Sequence, residues 1–385
     1  MTILFSALAT VEFDGVNYYC NEIGASIKRY KCCCDKIICL AHLKTVDKSK
    51  HDPINMEGVE FVFIHKINTP KTLLTEDQLN GKLVEEAVKR SDLCVVHVYS
   101  THASMVLHYA KVLGKPCVNV VVGDPWDSFW NYSMVGKIIA PFAYFSLKRM
   151  QKKAKYSIYV TNEYLQNRYP TEGETIACSN VDMNTGEMEA LSKRKDKIEN
   201  SNKKRLKIAT LAALNVRYKG QEFVIKAINL LRSKGIDKFE YHMAGGGDAS
   251  FLQSLIEKYN LQDSVFIHGA IPHSEITKFL DDTDIYIQPS KQEGLPRALI
   301  EAMSRACLCL GSRTAGIPEL LDSDYIFPKG DYKCVAKLLQ RITKDKMLEQ
   351  AERNFSEAKF YDKNILDKRR CDFLNTIIST INEKK

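Results

Sequence analysis

The sequence lacks any apolar run approaching the roughly 20 residues that a membrane-spanning helix needs. Its opening stretch, MTILFSALATVEFDG, has no basic leader and soon meets Glu12 and Asp14, so it reads as a first strand rather than an export signal. Twelve cysteines are present, but no CxxC pair is among them. The one cluster is Cys32, Cys33 and Cys34 followed by Cys39; neighbours along a strand point to opposite faces, so a zinc site is not expected there. With no export signal the thiols are expected to be reduced, in a cytoplasmic setting. These absences exclude a polytopic membrane protein and a small disulfide scaffold.

What is present is ordinary for a globular chain: 45% hydrophobic and 26% charged residues, which excludes a disordered or collagen-like protein. The 385 residues suggest two or three domains, each able to bury its own core. Net charge is 55 − 47 = +8, which points to an anionic partner without saying which.

Short apolar runs alternate with amphipathic stretches. TILFSAL, KIICLAHL, EFVFIH, LCVVHVY, CVNVVVG and YSIYVT read as buried strands, with helices over 80–90 and 103–113. After a charged stretch over 186–205, expected to be a solvated linker, the pattern restarts. KIATLAAL, FEYHMAG, SVFIHG, DIYIQPS and CLCLGS alternate with helices over 221–234, 249–259, 274–280 and 296–305. The fold class is therefore α/β: two Rossmann-like, doubly wound domains facing a central cleft. Their expected extents are 1–185 and 206–360. A last helix over 361–385 is expected to cross back to the first domain. Ligands of such sheets bind beyond the carboxyl ends of strands, where the notable motifs fall.

The most informative of these is PSKQEGLPRALIEAMSRA, from Pro289 to Ala306. A strand ends at Pro289-Ser290, a loop carries Glu293 and Gly294, and Pro296 suits the start of a helix. Glu301 lies within that helix, about 12 Å from Glu293 if the rise is near helical. Two carboxylates so spaced can each accept hydrogen bonds from a vicinal diol, and the helix start between them suits a diphosphate.

The Glu, seven residues, Glu pattern resembles the signature of the retaining glycosyltransferases of family 4 (group 1), which have the GT-B fold. CSNVDMN, RYKGQEFVIKAI, YHMAGGGD, VFIHGAIPHSEI and TAGIPELL resemble further family segments in the family's order. The resemblance implies that Glu293 contacts the donor hexose, that Glu301 contacts the ribose, and that Lys219 neutralises the leaving diphosphate. Gly294 and Leu295 would supply backbone amides, and Gly245 and Gly246 would approach the donor. Two departures stand out. Ala213-Leu214 occupies the place of the family's arginine, for which Arg217 is the expected substitute. Gly123-Asp124 stands where a histidine usually faces the transferred sugar, so Asp124 is expected to make that contact.

Both tryptophans, Trp126 and Trp130, lie in the same loop; Trp126 and Asp127 are expected on the acceptor side, an aromatic face suiting a sugar's C–H face. Gly15 is expected at the mouth of the first helix, letting backbone approach the phosphates. His97 and His108 read as packing residues. The run Asp281-Asp282-Thr283-Asp284 joins a helix to a strand and is not expected to bind metal; the resemblance implies no metal and no cofactor. Finally, 137–155 carries six basic residues and no acidic one around apolar residues, a pattern suited to an anionic membrane surface.

The resulting expectation is transfer of a hexose from a nucleotide sugar, with uridine as base, to a saccharide acceptor carried on a lipid, in bacterial surface polysaccharide synthesis. The alternatives are a nucleotide-sugar 2-epimerase of the same fold and a non-enzymatic partner. A nucleic-acid partner is not expected, since aromatic–basic interleaving is missing.

Overall fold

A computed structural model describes residues 1–31, 33–54, 56–66, 70–98, 101–184 and 188–383. The first domain carries strands β1 (Thr2–Phe13), β2 (Tyr18–Tyr19), β3 (Lys36–Thr45), β4 (Val59–Phe63), β5 (Leu93–His97), β6 (Cys117–Val121), β7 (Tyr156–Tyr159) and β8 (Glu174–Ala177). They form one sheet in the order β4-β3-β1-β5-β6-β7-β8, parallel throughout except for β2, which folds back on the end of β1. The second domain carries β9 (Leu206–Leu211), β10 (Phe239–Ala244), β11 (Val265–Gly269), β12 (Ile285–Gln288), β13 (Leu308–Ser312) and β14 (Ile326–Phe327), all parallel, in the order β11-β10-β9-β12-β13-β14.

Both sheets bear helices on both faces, which is why central strands such as β5 and β12 are buried without an exposed face. Leu93 to Val96 and Ile285 to Gln288, for example, are buried without alternation. Each sheet reverses its winding beside its first strand, at β1/β5 and β9/β12, and these two switch points mark where ligands enter such folds. A single apolar cluster continues from the first sheet into Leu299, Ile300 and Met303 of the helix Arg297–Ser304, so the domains share packing behind the cleft.

The structure corrects several expectations. The stretch 186–205 is no solvated linker: positions 186 and 187 lie outside the described residues, and Met188–Glu199 is a helix docked on the second domain. Ala190, Arg194 and Ile198, four residues apart, form its buried stripe. The Arg194 guanidinium donates to the carbonyls of Arg305 (3.0 Å), Leu280 (2.8 Å) and Thr283, so a residue that reads as surface charge is a core fastener. Gly15 lies in the tight turn between β1 and β2, not at a helix mouth. Asp14 organises that turn by accepting from the amides of Val16 (2.9 Å) and Asn17 (2.8 Å).

The helix Lys363–Asn382 lies against the first domain. Arg370 donates to the Ser179 carbonyl at 2.9 Å, Arg369 to that of Ala177 at 2.9 Å, and Phe373, Leu374 and Ile377 join the first core. Among the described residues ten cysteines are free thiols, but Cys371 on this helix is disulfide-bonded, which departs from the expectation of uniformly reduced cysteines. Its helix lies close enough to the cysteine-rich segment for Arg370 and Asp372 to act on Cys33. Cys32 is outside the described residues.

Candidate active site

The site is built on the loop after β12. Gln288, at the end of that buried strand, receives a hydrogen bond from the Tyr286 hydroxyl (2.9 Å) and donates to Ser290 Oγ (2.9 Å) and Glu293 Oε1 (3.0 Å). The Thr314 hydroxyl donates to the Ser290 carbonyl (2.8 Å), pinning the loop to β13's end. Lys219 Nζ meets the same Glu293 oxygen at 2.8 Å, and both side chains are largely shielded, at 22% and 10% exposure. A carboxylate that accepts from an amide and an ammonium on one oxygen keeps the other available for a ligand.

The partner loop reaches this place through a glycine. Gly220 has φ of 77°, and a Cβ there would stand 2.1 Å from the Pro289 carbonyl oxygen, so no other residue lets the Lys219 turn press on the Glu293 loop. The amide of Lys291 donates to the Tyr218 carbonyl at 2.7 Å, closing the two loops together.

Arg217 does not join this pair. It shares a 3-10 turn with Lys219, in which residues two apart point in different directions. Its guanidinium sits 3.6 Å from the Phe251 ring centroid, on the ring's face, and 3.5 Å from Glu222, with the side chain 61% exposed. The residue expected to replace the missing arginine therefore stacks on Phe251 rather than beside Glu293.

Glu301, one helical turn into Arg297–Ser304, opens on a cavity of about 550 Å3 lined by His273, Asp182, Asn184, Ser304 and Lys363 among others. Burial holds its carboxyl above the usual carboxylate range, with Arg297 and His273 pulling the other way. Glu293 thus rests against Lys219 and Glu301 opens on the cavity beside the crossover between domains, and both carboxylates lie near enough to the buried Tyr286 hydroxyl to help raise its pKa. Gly245 and Gly246 follow β10 on the same carboxyl edge of the sheet, held to the loop after β9 by the Leu214 amide donating to the Gly246 carbonyl (2.8 Å).

The first domain closes on this loop. A Cβ at Gly294 would lie 2.2 Å from the Val122 carbonyl oxygen, so the loop abuts the end of β6; Leu295 is buried beside it. Gln292 donates to Ser128 Oγ at 2.9 Å, and Lys329 pairs with Asp127 at 3.1 Å. Burial raises the Asp127 carboxyl's pKa, and the Lys329 ammonium opposes it. Glu319 was not singled out from the sequence, yet its carboxylate accepts from three backbone amides across the junction: Asn162 (2.6 Å), Tyr164 (2.6 Å) and Glu163 (3.2 Å). Gln288 and His273 were not singled out either, although they lie within the quoted segments DIYIQPS and VFIHGAIPHSEI.

Asp124 is corrected too. Its side chain is wholly shielded, capping the helix Pro125–Trp130 through the Trp126 amide (2.9 Å), pairing with Arg168 Nε (2.5 Å) and accepting from the Tyr164 (3.2 Å) and Tyr169 hydroxyls. With every lone pair engaged, it has none left for a sugar. Trp126 and Trp130 stack at 5.4 Å beside it. His97 packs edge-on to Phe5 (5.2 Å), and burial lowers its pKa to about 4. His108 is exposed rather than packed. Asp281 and Asp284 pair with Arg305 (2.7 Å) and Lys197 (2.9 Å). Among the described residues no group of three or more His, Cys, Asp or Glu side chains is placed to hold a metal.

Comparison with known proteins bears on this geometry. Residues 192–359 match the family model "Glycosyl transferases group 1". Protein CapJ of Staphylococcus aureus is 31% identical over 89% of this chain and 86% of its own. The amylovoran biosynthesis glycosyltransferase AmsK of Erwinia amylovora is 35% identical over 36% of each chain. Among solved structures, sucrose-phosphate synthase from Thermosynechococcus elongatus superposes with a TM-score of 0.74 at 12% identity, covering 98% of this chain and 99% of its own. Anabaena HepE in complex with UDP-glucose does so at 0.66 and 16% identity, covering 98% and 100%. The chain belongs to the group 1 glycosyltransferases and has the GT-B fold.

Proposed function

We propose that this glycosyltransferase moves a hexose from a UDP-linked donor to a saccharide acceptor, with retention, in the assembly of a bacterial surface polysaccharide. The observation that carries the reading is the shielded Lys219–Glu293 pair at the carboxyl end of β12. On donor binding, the free oxygen of Glu293 accepts from hexose hydroxyls while Lys219 faces the diphosphate. The bond from C1 to the phosphate oxygen breaks, and the charge left on the diphosphate is met by the ammonium and by the start of Arg297–Ser304. The acceptor hydroxyl attacks C1 from the same side, and its proton passes to the departing phosphate oxygen. Glu301 takes the ribose hydroxyls. The Lys219 ammonium and the helix start do the work a metal does elsewhere, so chelators should leave the rate unchanged.

HepE's solved complexes with UDP and UDP-glucose support the choice of donor. The names of AmsK and of WcaL from Escherichia coli, a "putative colanic acid biosynthesis glycosyltransferase", support the setting. The aromatic wall of Trp126 and Trp130 beside Asp127 is the acceptor side in this reading. A screen of nucleotide sugars by thermal shift tests it: a UDP sugar should raise the melting temperature by mass action and, without acceptor, be slowly hydrolysed. Glu293→Ala should abolish that hydrolysis. No response to any nucleotide sugar, or conversion of donor to its 2-epimer, would contradict the reading.

A further inference from the structure

The helix Met134–Lys152 wears its amphipathicity inside out. Its inward stripe is small or polar: Gly136, Ala140, Ala143 and Gln151, with Leu147 the one large apolar member. Val135, Ile138, Ile139, Phe142 and Phe145 recur at helical spacing on the opposite side, with Ile138 70%, Phe142 74% and Phe145 65% exposed. Trp130 and Tyr132, just before the helix, are exposed as well. A contiguous apolar face of this kind on a folded domain marks an interaction surface.

The same face turns basic toward its end. Lys148, Arg149, Lys152, Lys153 and Lys155 are all exposed, and no acidic residue occurs between Asp127 and Glu163. Met150 and Lys153 also line a cavity of about 850 Å3, whose other cations are Lys111, Lys115 and Lys155. The helix joins two parallel neighbours, β6 and β7, so it runs back from the carboxyl edge of the sheet. Its apolar first half therefore stands at the cleft end and its basic end at the far edge.

We infer that the outward face of Met134–Lys152, with Trp130 and Tyr132, docks on the surface of an anionic lipid bilayer and holds the cleft mouth at the membrane. Apolar side chains enter the headgroup boundary, the aromatics sit at its level and the cations meet lipid phosphates. A second copy of the chain fits less well, because its matching face offers the same cations and no carboxylate. Docking is independent of the transfer chemistry proposed above, but it adds that the saccharide acceptor is one presented at a membrane.

The test is flotation of the full chain with vesicles of phosphatidylcholine alone or mixed in equal parts with phosphatidylglycerol. The chain should float with the anionic vesicles, and binding should fall at least about tenfold with Phe142→Ser plus Phe145→Ser, or with Lys148→Gln plus Arg149→Gln. Both pairs are exposed; retained melting temperature and retained hydrolysis of a soluble donor would show that the fold and the transfer site survive. Four results would overturn the inference: no vesicle binding, equal binding to neutral vesicles, binding unaffected by the serine pair, or a concentration-dependent dimer that the serine pair abolishes.

Discussion

The two domains repeat one architecture, yet they use their cleft-facing carboxylates in opposite ways. In the second, Glu293 is held by Gln288 and Lys219 on one oxygen and keeps capacity for a ligand. In the first, Asp124 stands at the same kind of place, just beyond the carboxyl end of β6, and is saturated by Trp126, Tyr164, Arg168 and Tyr169. An acid after a strand is thus no guide to chemistry on its own; what decides is how many of its lone pairs the fold has already taken. The second domain's carboxylate keeps an open oxygen, and the first domain offers a rigid wall and an aromatic rim.

Asp124 should show the largest effect on stability. Asp124→Ala strands a half-buried guanidinium and two hydroxyls, and breaking such a cluster costs about 3–5 kcal/mol. Chemical denaturation should register that loss, while whatever remains folded binds UDP sugars normally. A variant with wild-type stability and lost turnover would erase the contrast between the domains. Glu319 comes next, because three amides share its carboxylate. Glu319→Ala should remove about 1.5–3 kcal/mol of domain closure, seen as a larger radius of gyration in small-angle scattering with each domain intact.

Glu301 sharpens the comparison through pH. Its folded-state pKa lies above the unfolded one, so the folded chain holds this proton more tightly. Stability should fall as pH rises from the ordinary value near 4.5 through the raised one. Glu301→Gln should remove that decline in melting scans, yet weaken UDP-sugar binding about tenfold or more, because a hydrogen bond to a charged acceptor is lost. The smallest effect is expected at Asp127–Lys329, an interdomain pair partly open to water. Lys329→Met should change stability by no more than about 1 kcal/mol, less with added salt.

The central strands were legible in the sequence because burial on both faces makes them mostly apolar runs. Three short strands were not: β2 and β14 have two residues each, too few for any period, and β8 has four. The helix Met188–Glu199 was hidden by its charges, since nothing local says that Arg194 finds three carbonyls some ninety residues or more away. The loop after β12 was readable as a motif. Its second carboxylate was placed correctly on a helix, but the separate cavity that Glu301 faces depends on Asp182 and Asn184 from the crossover. Asp124 was misread because its partners Tyr164, Arg168 and Tyr169 lie forty or more residues on in sequence, where no spacing rule reaches.

The most direct test of the account is a double-mutant cycle on single-turnover cleavage of a UDP hexose by the wild type, Lys219→Ala, Glu293→Ala and the double variant. Each single change should slow cleavage about 10²–10³-fold, as expected for losing a group aimed at developing charge, and the double should be little slower than either, because the two act as one unit. Near-normal cleavage by Lys219→Ala, or fully multiplicative losses in the double, would contradict it.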